Sequence, residues 1–113
     1  TGRLSTHDAE PSLAARVRAM LLENMASGLA NVDRVAEQLR MSRRSLQRRL
    51  SEEGLTFQTV LDKARADLAL TYLRRGDLSA EEISYLLAFR DPNSFYRAFH
   101  AWTGMTPAQA RAG

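Results

Sequence analysis

The sequence contains no cysteine, and proline, lysine and aromatic residues are scarce. Without thiols the chain has no disulfide framework, no thiolate zinc site and no cysteine nucleophile. No apolar run approaches the ~20 residues that a membrane-spanning helix needs. We therefore expect a cytoplasmic protein with neither a secretory signal nor a membrane segment.

Histidine is also rare, and the chain contains only His7 and His100. They are far apart, and neither has a second ligand at metal-binding spacing. The acidic pairs Glu52-Glu53 and Glu81-Glu82 fall near predicted helix ends, where capping and solvation explain them. We predict no metal site, no cofactor and no enzymatic activity.

The basic residues are almost all arginine, since Lys63 is the only lysine among the 16 basic residues. The planar guanidinium binds phosphate or guanine through two hydrogen bonds, which lysine cannot match. Residues 40–49 include no Asp or Glu but carry five arginines: Arg40, Arg43, Arg44, Arg48 and Arg49. This block indicates a nucleic-acid contact, although a solvated face or a site for an acidic protein partner would have the same charge.

Apolar residues recur at helical spacing along the chain, and no segment has the alternation of a strand. The pattern predicts an all-α fold of about seven helices over residues 11–113, preceded by a polar linker remnant at 1–10. Two helix-turn-helix units are expected, at about 32–53 and about 80–103. A helix at about 57–75, roughly 27 Å long, would join them.

Local start and stop signals set the boundaries of these helices. Ser79 with Glu82 forms a capping box, and Pro92 stands where a first-turn proline is tolerated. The remaining signals are candidate N-caps and terminating glycines: Asn31, Ser42, Gly28, Gly54, Gly76 and Gly104.

The two units form a degenerate internal repeat. Each has a short helix, a turn that contains an apolar residue, and a longer helix closed by glycine. Val35, Leu39, Met41, Leu46, Arg48 and Leu50 correspond to Ile83, Leu87, Phe89, Phe95, Arg97 and Phe99. Two units in matching register favour a DNA-binding arrangement over the alternative, a helical bundle with one basic face.

The same residues carry a family resemblance. The stretch VAEQLRMSRRSLQRRLSEEG, a long helix, and then ISYLLAFRDPNSFYRAFHAWTGMTP together resemble the DNA-binding domain of the AraC/XylS transcription regulators. The resemblance covers residues 13–111, and within the family it extends to pseudomonad regulators. Its most specific part is F-x-R-x-F followed by W-x-G-x-x-P, formed here by Phe95, Arg97, Phe99, Trp102, Gly104 and Pro107.

The resemblance implies the C-terminal domain of a bacterial, nucleoid-associated regulator, with activation the commoner mode in the family. Two recognition helices would enter successive major grooves of an asymmetric double-stranded site of about two helical turns. An N-terminal effector or dimerisation domain and RNA polymerase are the other implied partners. The competing hypothesis is a basic helical module that binds an acidic protein. A DNA-repair enzyme fused to such a domain is disfavoured by the absence of cysteine.

The chain departs from the family pattern in two places. Each turn usually holds glycine, but here the positions are Arg40 and Ala88. A left-handed turn would then cost on the order of 1 kcal/mol at each position. Pro92-Asn93 opens the second recognition helix and leaves fewer hydrogen-bond donors for reading bases there.

Candidate base-reading residues face away from the apolar pair of each recognition helix. Arg44, Gln47 and Arg48 lie opposite Leu46 and Leu50 and also match the positions that read bases in the family. A salt bridge from Arg48 to Glu52 is the structural alternative. In the second helix the candidates for base or methyl contact are Asn93, Tyr96 and Arg97, with a structural carboxylate partner as the alternative for Arg97.

The candidate phosphate contacts flank these positions and would add affinity without sequence preference. They are Arg40, Ser42, Arg43, Arg49, Arg90 and Ser94. Arg65, on the long helix, resembles a family position, and we interpret it as one half of a structural ion pair instead of a DNA contact.

Overall fold

The computed structural model describes residues 12–25 and 27–112, so the proposed linker remnant at 1–10 lies outside the described part. The described residues form helices and turns without a strand, which confirms the all-α prediction. Their seven helices are α1 (Leu13–Asn24), α2 (Val32–Gln38), α3 (Arg43–Glu52), α4 (Phe57–Arg75), α5 (Ala80–Leu86), α6 (Pro92–Thr103) and α7 (Pro107–Ala112). None of them is long and apolar enough to cross a membrane.

Side-chain caps explain where these helices begin. The cap side chain accepts a hydrogen bond from a backbone N–H of the first turn, which would otherwise have no partner. Ser79 and Glu82 form the complete capping box expected from the sequence. The other N-caps of this kind are Ser12, Asn31, Ser42, Thr56, Asp91 and Thr106.

The long helix α4 supports both helix-turn-helix units. Helices α2 and α3 form the first unit, with α1 packed against both of them. Helices α5 and α6 form the second unit, and α7 packs back onto α4. Val60 and Leu61 enter the core near the start of α4, and Ala69 and Leu73 enter it towards the end. One continuous apolar core therefore joins the two units and limits their relative movement.

Both turns have the left-handed backbone that glycine usually provides, although neither holds a glycine. Arg40 has φ 58° and Ala88 has φ 65°, both in the left-handed region. In the first turn the amides of Arg40 and Met41 donate to the carbonyls of Glu37 and Ala36. The second turn repeats this pattern with Ala88 and Phe89, so each turn is a Schellman motif built on a non-glycine residue.

One tertiary cap connects the first recognition helix to α1. Glu53 ends α3, and its carboxylate accepts hydrogen bonds from the amides of Leu13 at 3.1 Å and Ala14 at 3.2 Å. Two amides at the start of α1 are thereby satisfied by a residue of another helix. This contact fixes the end of α3 against the beginning of α1.

Candidate nucleic-acid interface

The first recognition helix, α3, has one fully buried face and one exposed basic face. Leu46 and Leu50 have 0% relative exposure and anchor the helix in the core. Arg44, Gln47 and Arg48 are all exposed. The helix thus presents to solvent the three side chains predicted for base contact, above the buried pair Leu46 and Leu50.

Most of the guanidinium groups on this helix have no acidic partner in the described part of the chain. Within residues 12–25 and 27–112, Arg44, Arg48 and Arg49 form no ion pair, and the alternative Arg48–Glu52 bridge is not made. Arg43 does form a pair, at 3.6 Å from Asp33, but both side chains are largely exposed. Exposed pairs of this kind are worth little, so Arg43 can exchange Asp33 for another anion at small cost.

The flanking candidates of the first unit lie beside this face. Arg40 is exposed in its left-handed turn, two residues before the cap of α3. Ser42 is the cap itself, and its hydroxyl accepts the Ser45 amide at 3.0 Å. The hydroxyl hydrogen of Ser42 remains available to donate to an anion.

The second recognition helix, α6, repeats the arrangement with aromatic anchors. Phe95 and Phe99 are fully buried, and their rings are 5.7 Å apart. Asn93, Tyr96 and Arg97 are exposed, as the sequence predicted. The carboxylate partner considered for Arg97 is not found at ion-pair distance in the described residues.

Asp91 places a negative charge at the beginning of α6. Its carboxylate accepts the Ser94 amide at 2.8 Å and the Ser94 hydroxyl at 3.2 Å. The Ser94 amide hydrogen bond, with smaller contributions from the Ser94 hydroxyl, Arg97 and Arg90, holds the pKa of Asp91 below its ordinary value. The Asp-Pro start of this helix was visible in the sequence. The hydrogen bonds from Ser94, one of the phosphate candidates, to the Asp91 carboxylate were not.

A shallow cleft of about 400 Å³ extends the candidate interface to the start of α4. Arg43 and Gln47 form one wall, and Thr56, Phe57 and Gln58 form another. No sequence pattern pointed to Gln58, because the approach of α4 to α3 depends on the tertiary fold. The cleft gives Gln47 a polar neighbour on the exposed side of the first unit.

Arg65 corrects one expectation, because its partners are not carboxylates. Its Nε donates to the backbone carbonyl of Leu87 at 3.1 Å, and its guanidinium carbon lies 4.5 Å from the Phe89 ring centroid. Burial lowers the pKa of Arg65, and the nearby charge of Asp62 opposes that effect without forming an ion pair. The structural role is retained, but the predicted ion pair is wrong.

Arginines that share one exposed face, on the second helix of a repeated helix-turn-helix, define a DNA-binding architecture. The family model described as "Helix-turn-helix domain" matches residues 35–113. The chain belongs to this family, in its AraC-type branch, as the resemblance implied.

Relatives with assigned names agree with this membership. The ornithine utilization regulator of Pseudomonas aeruginosa is 43% identical over 108 residues, which is 96% of this chain and 32% of that protein. The regulator VqsM of the same species is 32% identical over 92 residues, covering 81% of this chain and 28% of that protein. The chain therefore spans about a third of the length of the curated relatives it matches.

Solved structures give the same fold. The transcriptional regulator CdpR from Pseudomonas aeruginosa superposes with a TM-score of 0.79 at 36% identity, over 89% of this chain and 32% of that one. The DNA-binding domain of AdpA, solved in complex with a target DNA, superposes with a TM-score of 0.73 at 30% identity. That match covers 90% of this chain and 92% of the AdpA domain.

Proposed function

We propose that this chain is the sequence-specific, double-stranded-DNA-binding domain of a bacterial transcription activator. The observation that carries the proposal is the exposed face of α3, where Arg44, Gln47 and Arg48 stand over the buried Leu46 and Leu50. No acidic side chain of the described residues pairs with the two arginines. Their hydrogen-bond donors are therefore available to bases.

The first unit is the main reader of sequence. Arginine donates two hydrogen bonds to O6 and N7 of guanine, while glutamine both donates to and accepts from adenine. Arg44 and Arg48 would select guanine, and Gln47, between them, would select adenine. The core anchors supply the rigidity that such bidentate contacts need.

The second unit contributes less to base selection. Asn93, Tyr96 and Arg97 are its candidates for base or methyl contact, but Pro92 has no amide hydrogen to offer. Asp91 adds negative charge at the same end of α6 and engages Ser94. Full insertion of α6 would bring that carboxylate towards the phosphates, so we expect the DNA to bend or α6 to sit shallowly.

Phosphate contacts surround the readers and set affinity. In the first unit they are Arg40, Ser42, Arg43 and Arg49, and in the second they are Arg90 and Ser94. Arg43 would exchange its exposed pair with Asp33 for a phosphate oxygen. Ser94 would have to release the Asp91 carboxylate in the same way, which makes it the weakest of the six candidates.

The size of the molecule fits one face of the duplex. Its longest dimension is 38 Å, and successive major grooves lie about 34 Å apart. A single domain of this length would cover an asymmetric site of about two helical turns. Because the matched relatives are about three times as long, we place an N-terminal effector or dimerisation domain before this chain. We further propose that RNA polymerase is a partner. The protein would act at the bacterial nucleoid, in the cytoplasm.

The test is a selection of bound sites from random duplex DNA, followed by titration of the best site at several salt concentrations. The proposal predicts one asymmetric consensus, with the strongest preferences under the first unit. Binding should weaken steeply with salt, with a logarithmic slope of about −0.9 for each neutralised phosphate. A pool without consensus, or a flat salt response, would refute it in favour of an acidic protein partner.

A further inference from the structure

We propose that Arg65 is a positioning residue that sets the separation of the two recognition helices, and so the spacing of the two contact regions in the DNA. This inference rests on the proposed function, since it assumes that both units touch one duplex. It assigns to α4 a role in specificity through a side chain that never reaches the DNA.

The first step is the hydrogen bond from the middle of α4 to the end of α5. Leu87 caps α5 at its C-terminus, where backbone carbonyls lose their helical partners. Arg65 Nε donates to the Leu87 carbonyl at 3.1 Å. The turn between α5 and α6 is thereby attached to the long helix by a directional bond to the backbone, which apolar packing alone does not provide.

The second step is the ring of Phe89, which follows directly in that turn. The Arg65 guanidinium carbon lies 4.5 Å from its centroid, a distance typical of a cation–π contact. Phe89 in turn packs 5.6 Å from Phe95 and 5.9 Å from Trp102, both on α6. The contacts run without a gap from Arg65 to the second recognition helix.

The third step is the chemistry of the residue. Only a planar guanidinium can donate Nε–H to a carbonyl while its face covers an aromatic ring, and an ammonium offers neither the fork nor the plane. Arg65 is half-buried, so both contacts are partly shielded from water. Arg65 thus adds two directional contacts between α4 and the second unit to the apolar packing that joins them.

The test uses duplexes in which base pairs are inserted or deleted between the two contact regions of the selected site. One base pair turns the second region by about 35° around the duplex. The wild type should therefore lose about tenfold in affinity for each added or removed pair. Arg65→Met and Arg65→Lys should bind the best duplex about tenfold more weakly while showing a flatter dependence on spacing.

Lys63→Met is the matched control. Lys63 lies on the same helix, its side chain is 73% exposed, and its Nζ pairs with Asp67 at 3.2 Å. This variant loses the same charge as Arg65→Met but keeps the hydrogen bond to Leu87 and the contact with Phe89, so its spacing profile should match that of the wild type. Arg65 variants whose affinity falls equally at every spacing would overturn the inference. A wild type indifferent to spacing would refute the two-unit function itself.

A measurement without DNA tests the positioning role of Arg65 independently of the proposed DNA-binding function. Because the chain has no cysteine, Ser51→Cys and His100→Cys provide spin-label sites on α3 and α6 without other thiols. Both positions are exposed. Pulsed electron–electron double resonance should give a narrow distribution of label-to-label distances when Arg65 is present. The distribution should be clearly broader in Arg65→Met and Arg65→Lys. Equal widths, with thermal unfolding showing the variants folded, would contradict the positioning role.

Discussion

The second turn places an alanine where the backbone favours glycine, and Ala88→Gly should therefore stabilise the domain. Ala88 has φ 65°, and its amide and that of Phe89 donate within the turn. An L-residue in this conformation costs roughly 1–2 kcal/mol relative to glycine. Because glycine gains about 0.4–1 kcal/mol of unfolded-chain entropy and the lost methyl is half-buried, the net gain should be about 0.5–1 kcal/mol.

That gain translates into a measurable melting shift. Unfolding entropy near 60 °C is about 2.1 cal/mol/K per residue, or roughly 240 cal/mol/K for 113 residues. The expected increase in Tm is then about 2–4 °C. Thermal unfolding followed by circular dichroism at the helical band measures it, and a urea titration should show a higher midpoint with an unchanged slope.

Ala19→Gly is the matched control for Ala88→Gly. Ala19 is exposed in the interior of α1, where the backbone is right-handed. The same chemical change should there destabilise the domain by about 1 kcal/mol, because glycine is a poor helix former. The two variants must therefore shift Tm in opposite directions. A decrease in Tm for Ala88→Gly comparable with that for Ala19→Gly would refute the reasoning from backbone conformation.

Three further predictions concern the turns and caps. Arg40→Gly should raise Tm like Ala88→Gly but also weaken DNA binding severalfold and reduce the salt slope by about one contact; unchanged binding in a salt titration would remove Arg40 from the phosphate set. Glu53→Ala should cost about 1 kcal/mol in urea unfolding because it leaves the Leu13 and Ala14 amides without their carboxylate partner, whereas Glu52→Ala should be nearly neutral. Asp91→Asn should flatten the acid limb of stability against pH: the lowered pKa of Asp91 gives a contribution that is present above its unfolded value near 3.8 and lost as pH falls through the folded value. An unchanged acid limb would contradict that assignment.

Local features of the fold could be predicted because the interactions that produce them are local. The capping box of Ser79 and Glu82 connects residues three apart, and α4 spans the predicted residues 57–75. The outward direction of Arg44 and Gln47 followed from the spacing of the apolar pair on the same helix. These properties depend on a few consecutive residues, which the sequence displays directly.

Tertiary partners could not be predicted in the same way. Arg65 was expected to meet a carboxylate, yet it meets a carbonyl 22 residues away and an aromatic ring. Glu53 was expected to act at its own helix end, yet it caps α1, 40 residues away. The partner of a long side chain is decided by which helix passes within its reach, and periodicity carries no information about that distance.

Base reading by α3 is tested by titrating Arg44→Ala and Gln47→Ala against the selected duplex and a scrambled one of equal length. We expect a loss of about 1–3 kcal/mol on the selected duplex for each variant, with little change on the scrambled one. Arg49→Ala, at a proposed phosphate contact, should weaken binding to both duplexes equally. Equal losses on both duplexes for Arg44→Ala and Gln47→Ala would contradict the claim.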